Sequence, residues 1–493
     1  MTGASTVIAA PDDLSPAVIL RVAAGQPIQL AVPLLAEVDR RCQAARAVLR
    51  RGDPVYGVNT GMGALAGVRL SEPEQLAHQR NLLLARATGG PPWLDAADTR
   101  AIIAVRLRTF LTGDSGVSAA LCQRLARLLA AGVIPAVPRT GVGCAGEIMP
   151  LAHALGPLAG IGQVLEPDGG IVPAAQALRS RGLSDFSLGP REGHALLAGV
   201  PGATALSIVR LAGARDLEWV MEMAAALSVA AAGASRDPYA AACARGDDVL
   251  AGVLARMRAI FGDHPEPRAL QAPVSFRVAG PVLAQVLRAA GALESAIGRA
   301  LAGVTDSPAF LNGKFTGTAG FHGIDLGAHC DQLTAALAHA AEVAAARVHR
   351  LLDTRVTGLP AQLAARPGPD AGLVAVHKRA AGEVHALRRL AVPAAVGLIE
   401  TSGGQEDVQS FAWESAETLR GAVRHAHAVT ACELLTAYQA CSLPGRPAPA
   451  GCHAMLARLA GLVGPITGDR PFGEDIERIL AAGLASWPPA RPG

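Results

Sequence analysis

Aromatic side chains are scarce in this chain of 493 residues, at 3% of the total, although 51% of its residues are hydrophobic. A core with so few rings must be filled by Ala, Leu and Val, which suits helices packed at close range. Lysine is almost missing. Lys314 and Lys378 are the only two, and arginine supplies the rest of the positive charge. The net charge is only +3 and no basic block stands out, so a nucleic-acid footprint is not indicated. The eight cysteines form no C-x-x-C pair, which argues against a zinc ribbon or a disulfide scaffold. A membrane span needs about 18 or more uncharged apolar residues. Ile148 to Leu165 is interrupted by Pro150, His153 and Pro157, and Met223 to Ser235 is too short. Met1 to Pro11 lacks the basic start and long apolar stretch of a secretory signal. The expectation is a cytoplasmic protein without membrane or nucleic-acid partners.

What is present is organised around Gly141-Val142-Gly143-Cys144-Ala145-Gly146-Glu147-Ile148-Met149-Pro150-Leu151-Ala152-His153. The glycines let the backbone turn tightly, and Pro150 with the apolar run to Leu155 reads as a buried helix start. Glu147 would then sit near that helix's positive end. Nothing in the hydrophobic pattern requires Cys144-Ala145-Gly146, which marks the tripeptide as part of a site.

Elsewhere the chain reads as helical. Two short patterns lie within residues 14 to 50, then Glu74 to Ala87, Asp98 to Thr112 and Leu121 to Ala131, the last closed by Gly132. Asp53 to Gly67 is a glycine-rich loop without a Walker lysine or a Gly-x-Gly-x-x-Gly turn, so it is no phosphate cradle. Gly169 to Pro190 is a turn-rich insert. Four long helices are expected over Ala203 to Ala232, Val282 to Leu301, Cys330 to Leu352 and Gln405 to Tyr438. Pro444 to Pro449 is a break before a last helical piece, Met455 to Leu462. The fold class is therefore mainly α, with an N-terminal active-site domain, 1–200, and a long-helix bundle with a C-terminal helical region, 201–493.

Several blocks carry chemistry. Tyr56 stands in Tyr56-Gly57-Val58-Asn59-Thr60-Gly61-Met62-Gly63; alone it would read as a tyrosine packed at a turn. Arg277 ends Gln271-Ala272-Pro273-Val274-Ser275-Phe276-Arg277, and alone would read as an ordinary ion-pairing arginine. Glu406, in Thr401-Ser402-Gly403-Gly404-Gln405-Glu406-Asp407, reads equally as a charge at the start of the fourth long helix. Cys144 near a helix start is a candidate nucleophile, with only His153 nearby in sequence to support it. His425 and His427 alternate, so they point to different faces of a helix, and no metal site is expected.

In order along the chain, these blocks resemble the histidine and aromatic amino-acid ammonia-lyases. The family segments read Tyr-Gly-x-Asn-Thr-Gly-Phe-Gly, Gly-Ala-Ser-Gly-Asp-Leu-x-Pro-Leu-Ala-His, Gln-Asp-x-Tyr-Ser-Leu-Arg and Thr-Ser-Ala-Asn-Gln-Glu-Asp. The resemblance runs from about residue 25 to about residue 480. It implies that Tyr56 is the base for the substrate's β-proton, that Arg277 clamps the substrate carboxylate and that Glu406 faces the substrate ring. Gln271 and Phe321, in Gly320-Phe321-His322, fall among the substrate-binding positions, and Arg86 replaces the family's active-site histidine after Asn81-Leu82-Leu83-Leu84. A free phenol holds its proton to about pH 10, so the Tyr56 role needs a positive neighbour.

The departures from the family pattern set the functional expectation. In the family, Ala-Ser-Gly cyclises into methylidene-imidazolone, the electrophile that captures the substrate amine. Here the tripeptide is Cys144-Ala145-Gly146, without the serine hydroxyl whose loss creates the methylidene carbon. Ala198 and Val274 replace the family's asparagine and tyrosine. No cofactor is therefore expected. A quaternary nitrogen has no lone pair for that electrophile to capture and leaves as a tertiary amine once the β-proton is taken, as in the family's ergothionase branch. The expected activity is prosthetic-group-independent 1,2-elimination of an amine, such as trimethylamine, from an imidazole- or thioimidazole-bearing amino-acid betaine. Two other readings stay open: a catalytically silent homologue that binds a ligand or partner, and an isomerase or cyclase reusing the cavity. The resemblance also implies a homotetramer with sites shared between chains.

Overall fold

The computed structural model describes residues 5–261, 266–444 and 448–483. The chain is mainly helical, and its strands are two or three residues long. It divides into two compact units. The first is Met1–Val209 with Glu294–Cys330 and Ala394–Glu417, and the second is Arg210–Leu293, Asp331–Pro393 and Thr418–Gly493. The sequence suggests one boundary, at 200/201. The packing instead places five breaks, four of them inside the long helices Pro201–Ala232, Ala279–Ala302, Ile324–Leu351 and Ala412–Ser442, and one between Pro393 and Ala394.

In the first unit, helices Pro16–Ala23, Val32–Leu49, Glu72–Arg86, Ala96–Leu111 and Ala119–Ala130 precede the glycine-rich segment. Their starts follow local chemistry. The Ser15 and Ser118 side chains accept from Val18 N–H and Leu121 N–H. Ser71 and Glu74 form a reciprocal capping box ahead of Glu72–Arg86. Ala96–Leu111 is almost wholly buried and forms the centre of this unit. Ile134–Pro135, Gln163–Leu165 and Ile171–Pro173 make a small antiparallel sheet, and Ala309–Leu311 pairs with Lys314–Thr316 in a hairpin. The expected turn-rich insert thus also holds a strand and the helix Ala174–Ser180.

The second unit is built on alanine and leucine, with Leu217, Val220, Leu227, Leu333, Leu337, Leu387 and Leu434 buried. Helices Asp248–Phe261, Val374–Leu390 and Phe472–Ala481 are additional to the sequence reading. The apolar stretch ending at Ala232 is long and apolar enough to cross a membrane by length and composition, but most of it is buried within the protein as core.

The fourth long helix begins at Ala412, not at Gln405. Ser402 and Phe411 have positive φ, at 55° and 48°, which a right-handed helix cannot propagate. Glu406 therefore lies in a loop, and the reading of it as a helix-start charge is corrected.

Candidate active site

Tyr56 is held by a loop that staples itself together. The Asn59 side chain accepts from Val55 N–H at 2.7 Å and donates to the Asp53 carbonyl at 2.7 Å. Thr60 Oγ1 accepts from Gly57 N–H and donates to the Gly61 carbonyl. Both side chains are buried, so their hydrogen bonds form away from competing water. Gly57 has φ +68°, and a Cβ there would lie 2.3 Å from His194 Cδ2, so only glycine fits. The half-buried Tyr56 accepts the Gly63 N–H at its hydroxyl oxygen, at 2.9 Å. Its ring meets the His194 ring edge-on, with centroids 6.2 Å apart. Gln79, fully buried, ties the two elements by donating to the Gly57 carbonyl and accepting from His194 N–H.

The organising segment leads into the helix Ile148–Leu155, with Glu147 as its N-cap residue. The Glu147 carboxylate does not serve that helix. It accepts N–H bonds from Gly202 at 2.6 Å and Ala203 at 2.5 Å, at the start of Pro201–Ala232. The acid does meet a positive helix end, but that of another helix. Gly202 permits the approach, since a Cβ there would lie 2.7 Å from Glu147 Oε2 and 2.3 Å from the Trp413 ring. Burial pushes Glu147 up to about 7, against the downward pull of the two N–H bonds. Burial also pushes the Cys144 thiol up to about 11, so at neutral pH it is a thiol and not the thiolate that a nucleophile needs.

Glu406 reaches the tripeptide. Its Oε2 accepts from the Thr401 hydroxyl at 2.8 Å and from the Ala145 N–H at 3.2 Å. Tyr56, Ala145, His194, Ala198, Phe321 and Glu406 all line one cavity of about 490 Å³ in the first unit. A second recess, of about 280 Å³, shares Tyr56 and Glu406 and adds Arg86, the last residue of Glu72–Arg86. Burial lowers the Arg86 pKa, while the charges of Tyr56 and Glu406 act on it in the opposite sense. Arg86 is thus a cation in electrostatic reach of both groups.

Beneath the cavity, the fully buried Arg106 pairs with Asp306 at 2.6 Å and also donates to the Ala195 carbonyl. Arg191, in a left-handed conformation at φ 72°, donates to the carbonyls of Ser115 and Pro308. The two arginines anchor the backbone of the segment that gives Ser307 and Pro308 to the cavity wall. They also act on His194. Burial, then the Arg191 charge, lowers its pKa to about 3, so the ring is neutral.

Arg277 and Gln271 belong to the second unit and are not among the residues lining this cavity. Arg277 closes the short helix Val274–Arg277 and donates to Gln271 Oε1 at 2.8 Å. Of the residues singled out in the sequence, Tyr56, Arg86, Ala145, Gly146, Phe321 and Glu406 come together around the cavity and its recess. Cys144 lies beside them without lining either. His194 was not among the candidates. Its signal was present, since in Glu192-Gly193-His194-Ala195-Leu196-Leu197 it is a polar ring leading an apolar run.

Residues 14–460 match the family model for aromatic amino acid lyases. Histidine ammonia-lyase of Streptomyces coelicolor is 34% identical over 484 residues, covering 93% of each chain. The structure of tyrosine aminomutase from Streptomyces globisporus superposes with a TM-score of 0.89 at 26% identity, covering 98% of this chain and 97% of that one. Ergothionase from Treponema denticola, solved with desmethyl-ergothioneine sulfonic acid, superposes with a TM-score of 0.89 over 97% of this chain and 98% of that one. At 23% identity, that likeness is one of fold.

Proposed function

The chain belongs to the aromatic amino acid lyase family, and from that premise we propose that it eliminates a tertiary amine from an imidazole- or thioimidazole-bearing amino-acid betaine without a prosthetic group. The observation that carries this reading is the cavity around Ala145. It holds Tyr56 and Glu406, with Arg86 in the adjoining recess, while Ala145 offers only a methyl. An alanine methyl has no hydroxyl to lose as water, so Cys144-Ala145-Gly146 does not fit methylidene-imidazolone, and no step runs through that group.

The chemistry needs none. Tyr56, as phenolate, takes the β-proton; the C–H pair becomes the Cα–Cβ double bond; the Cα–N bond breaks and its pair leaves with the nitrogen as neutral trialkylamine. Arg86 offsets the negative charge on Tyr56 before transfer. Glu406 accepts an N–H of the substrate ring. Arg277 takes the carboxylate through two parallel donors, and is supplied by another copy in a shared-site tetramer. Exposed Val396, Leu398 and Ile399 on the segment leading to Glu406 are apolar surface for such an assembly to cover.

The names of the related histidine ammonia-lyases favour a second reading, ammonia release from histidine. One assay separates the two. Purified protein is incubated with trimethylammonio acids bearing imidazole, thioimidazole and phenyl rings, and with histidine, phenylalanine and tyrosine. Trimethylamine from a ring-bearing betaine is expected. Ammonia from histidine at a comparable rate, with no trimethylamine from any of the betaines, would establish the second reading instead.

A further inference from the structure

His194 is in the cavity wall, yet the elimination chemistry does not use it. Its Nδ1 is buried and has no hydrogen-bond partner. The side chain is only 2% exposed and lines the cavity. Burial and the nearby Arg191 keep the ring neutral, so one nitrogen carries hydrogen and the other does not. A sealed N–H without an acceptor is among the rarest arrangements in folded proteins, so the hydrogen belongs on Nε2, which is not among the sealed, unpartnered atoms. Gln79 fixes the backbone of this residue through His194 N–H at 2.9 Å, and the ring edge carrying Nε2 packs against Gly57, so the ring's placement is set from two sides.

We propose that His194 reads the substrate ring, its Nε2–H donating to a lone-pair atom there: the bare nitrogen of an imidazole or the sulfur of a thioimidazole. This rests on the elimination reading and names the part of the substrate that the site recognises. An imidazole offers one N–H and one bare nitrogen, and so needs an acceptor and a donor in the same cavity. Glu406 is the acceptor and His194 the donor. A phenyl ring satisfies neither, and its binding would leave two buried polar groups without partners. Leucine at this position would remove the donor.

The test is equilibrium binding of two planar acids of similar length, urocanate and cinnamate, to the wild type, His194→Leu and His194→Gln. The wild type should bind urocanate at least about tenfold more tightly, the scale of one hydrogen bond. His194→Leu should lose most of that preference through weaker urocanate binding, with cinnamate bound no more weakly. His194→Gln, which keeps a donor, should retain part of the preference. The substitutions spare the Gln79 bond, which uses the backbone; thermal melts check folding, and if one variant does not fold the other decides. Urocanate preference undiminished in both variants, or absent in the wild type, overturns the His194 inference alone. A wild type that binds neither acid overturns the elimination reading and this inference with it.

Discussion

In the first unit, Tyr56, Glu147 and Glu406 each take a hydrogen bond from a backbone amide: Gly63 for Tyr56, Gly202 and Ala203 for Glu147, and Ala145 for Glu406. In the second unit the pattern inverts. The turn carrying Arg277 is gripped through its carbonyls, with the Tyr239 hydroxyl donating to Phe276 and the Arg347 guanidinium to Ser275 at 3.3 Å. Arg347 is itself held by buried Glu433, which also accepts from Ser228. Backbone amides thus help to hold the first unit's groups, beside the Thr401 hydroxyl on Glu406, while side chains hold the turn that carries Arg277. The consequence is a difference in vulnerability. The first unit's site should fail when its own side chains or the glycines packed against them change, whereas the turn carrying Arg277 depends on side chains buried behind it.

The largest test of this contrast is Glu433→Ala. It leaves Arg347 buried without its main partner, which typically costs about 3–5 kcal/mol. A large fall in denaturation midpoint is expected, and an unchanged midpoint would mean that the clamp turn does not depend on this pair. Next comes Tyr56→Phe, which keeps the ring against His194 but removes the hydroxyl proposed as the proton acceptor. Turnover should fall by about a hundredfold or more with little change in melting. Full activity would move the base elsewhere, with Glu406 the next group to substitute.

The same contrast explains what was legible in the sequence. Tyr56 and Glu406 announce themselves because their loops carry glycines and polar residues that no hydrophobic pattern asks for. The long helices follow from apolar spacing. The start of the fourth was misplaced because Ser402 and Phe411 adopt positive φ without being glycine or asparagine, so no residue type marks the break. Glu147 was read on its own helix because periodicity sees only neighbours, and its partners are 55 and 56 residues away. Tyr239, Arg347 and Glu433 were invisible for the same reason. His194 could have been found, since a histidine inside an apolar helical block needs an explanation.

A smaller effect is expected for Arg277→Lys. Lysine keeps the charge and loses the fork, so a carboxylate would be held by one point contact in place of two. If Arg277 is the clamp, kcat/KM should fall by roughly tenfold or more, the scale of a lost charge-assisted hydrogen bond, with most of it in KM. An equal loss in Gln271→Ala, which removes the Arg277 partner at 2.8 Å, would show that placement of the guanidinium matters as much as its charge. No loss in either would assign the carboxylate to Arg86.

The smallest effect separates burial from amide bonding at Glu147, where the two influences oppose each other. Its ordinary value is 4.5, and in the folded chain burial lifts it to about 7. Between those limits the folded state holds a proton that the unfolded chain has released. Its contribution to stability is therefore complete below about 4.5, declines as pH rises towards about 7, and is level above. The decline cannot exceed about 1.4 kcal/mol per pH unit for one proton. Glu147→Gln does not titrate, so the stability of the variant minus that of the wild type should drift upward from pH 5 to pH 7 and then level, whatever constant cost the amide adds. Denaturant titrations at half-unit pH intervals would read that drift. A flat difference would mean that the N–H groups of Gly202 and Ala203 hold the carboxylate ionised throughout, and that amide bonding outweighs burial at this position as well.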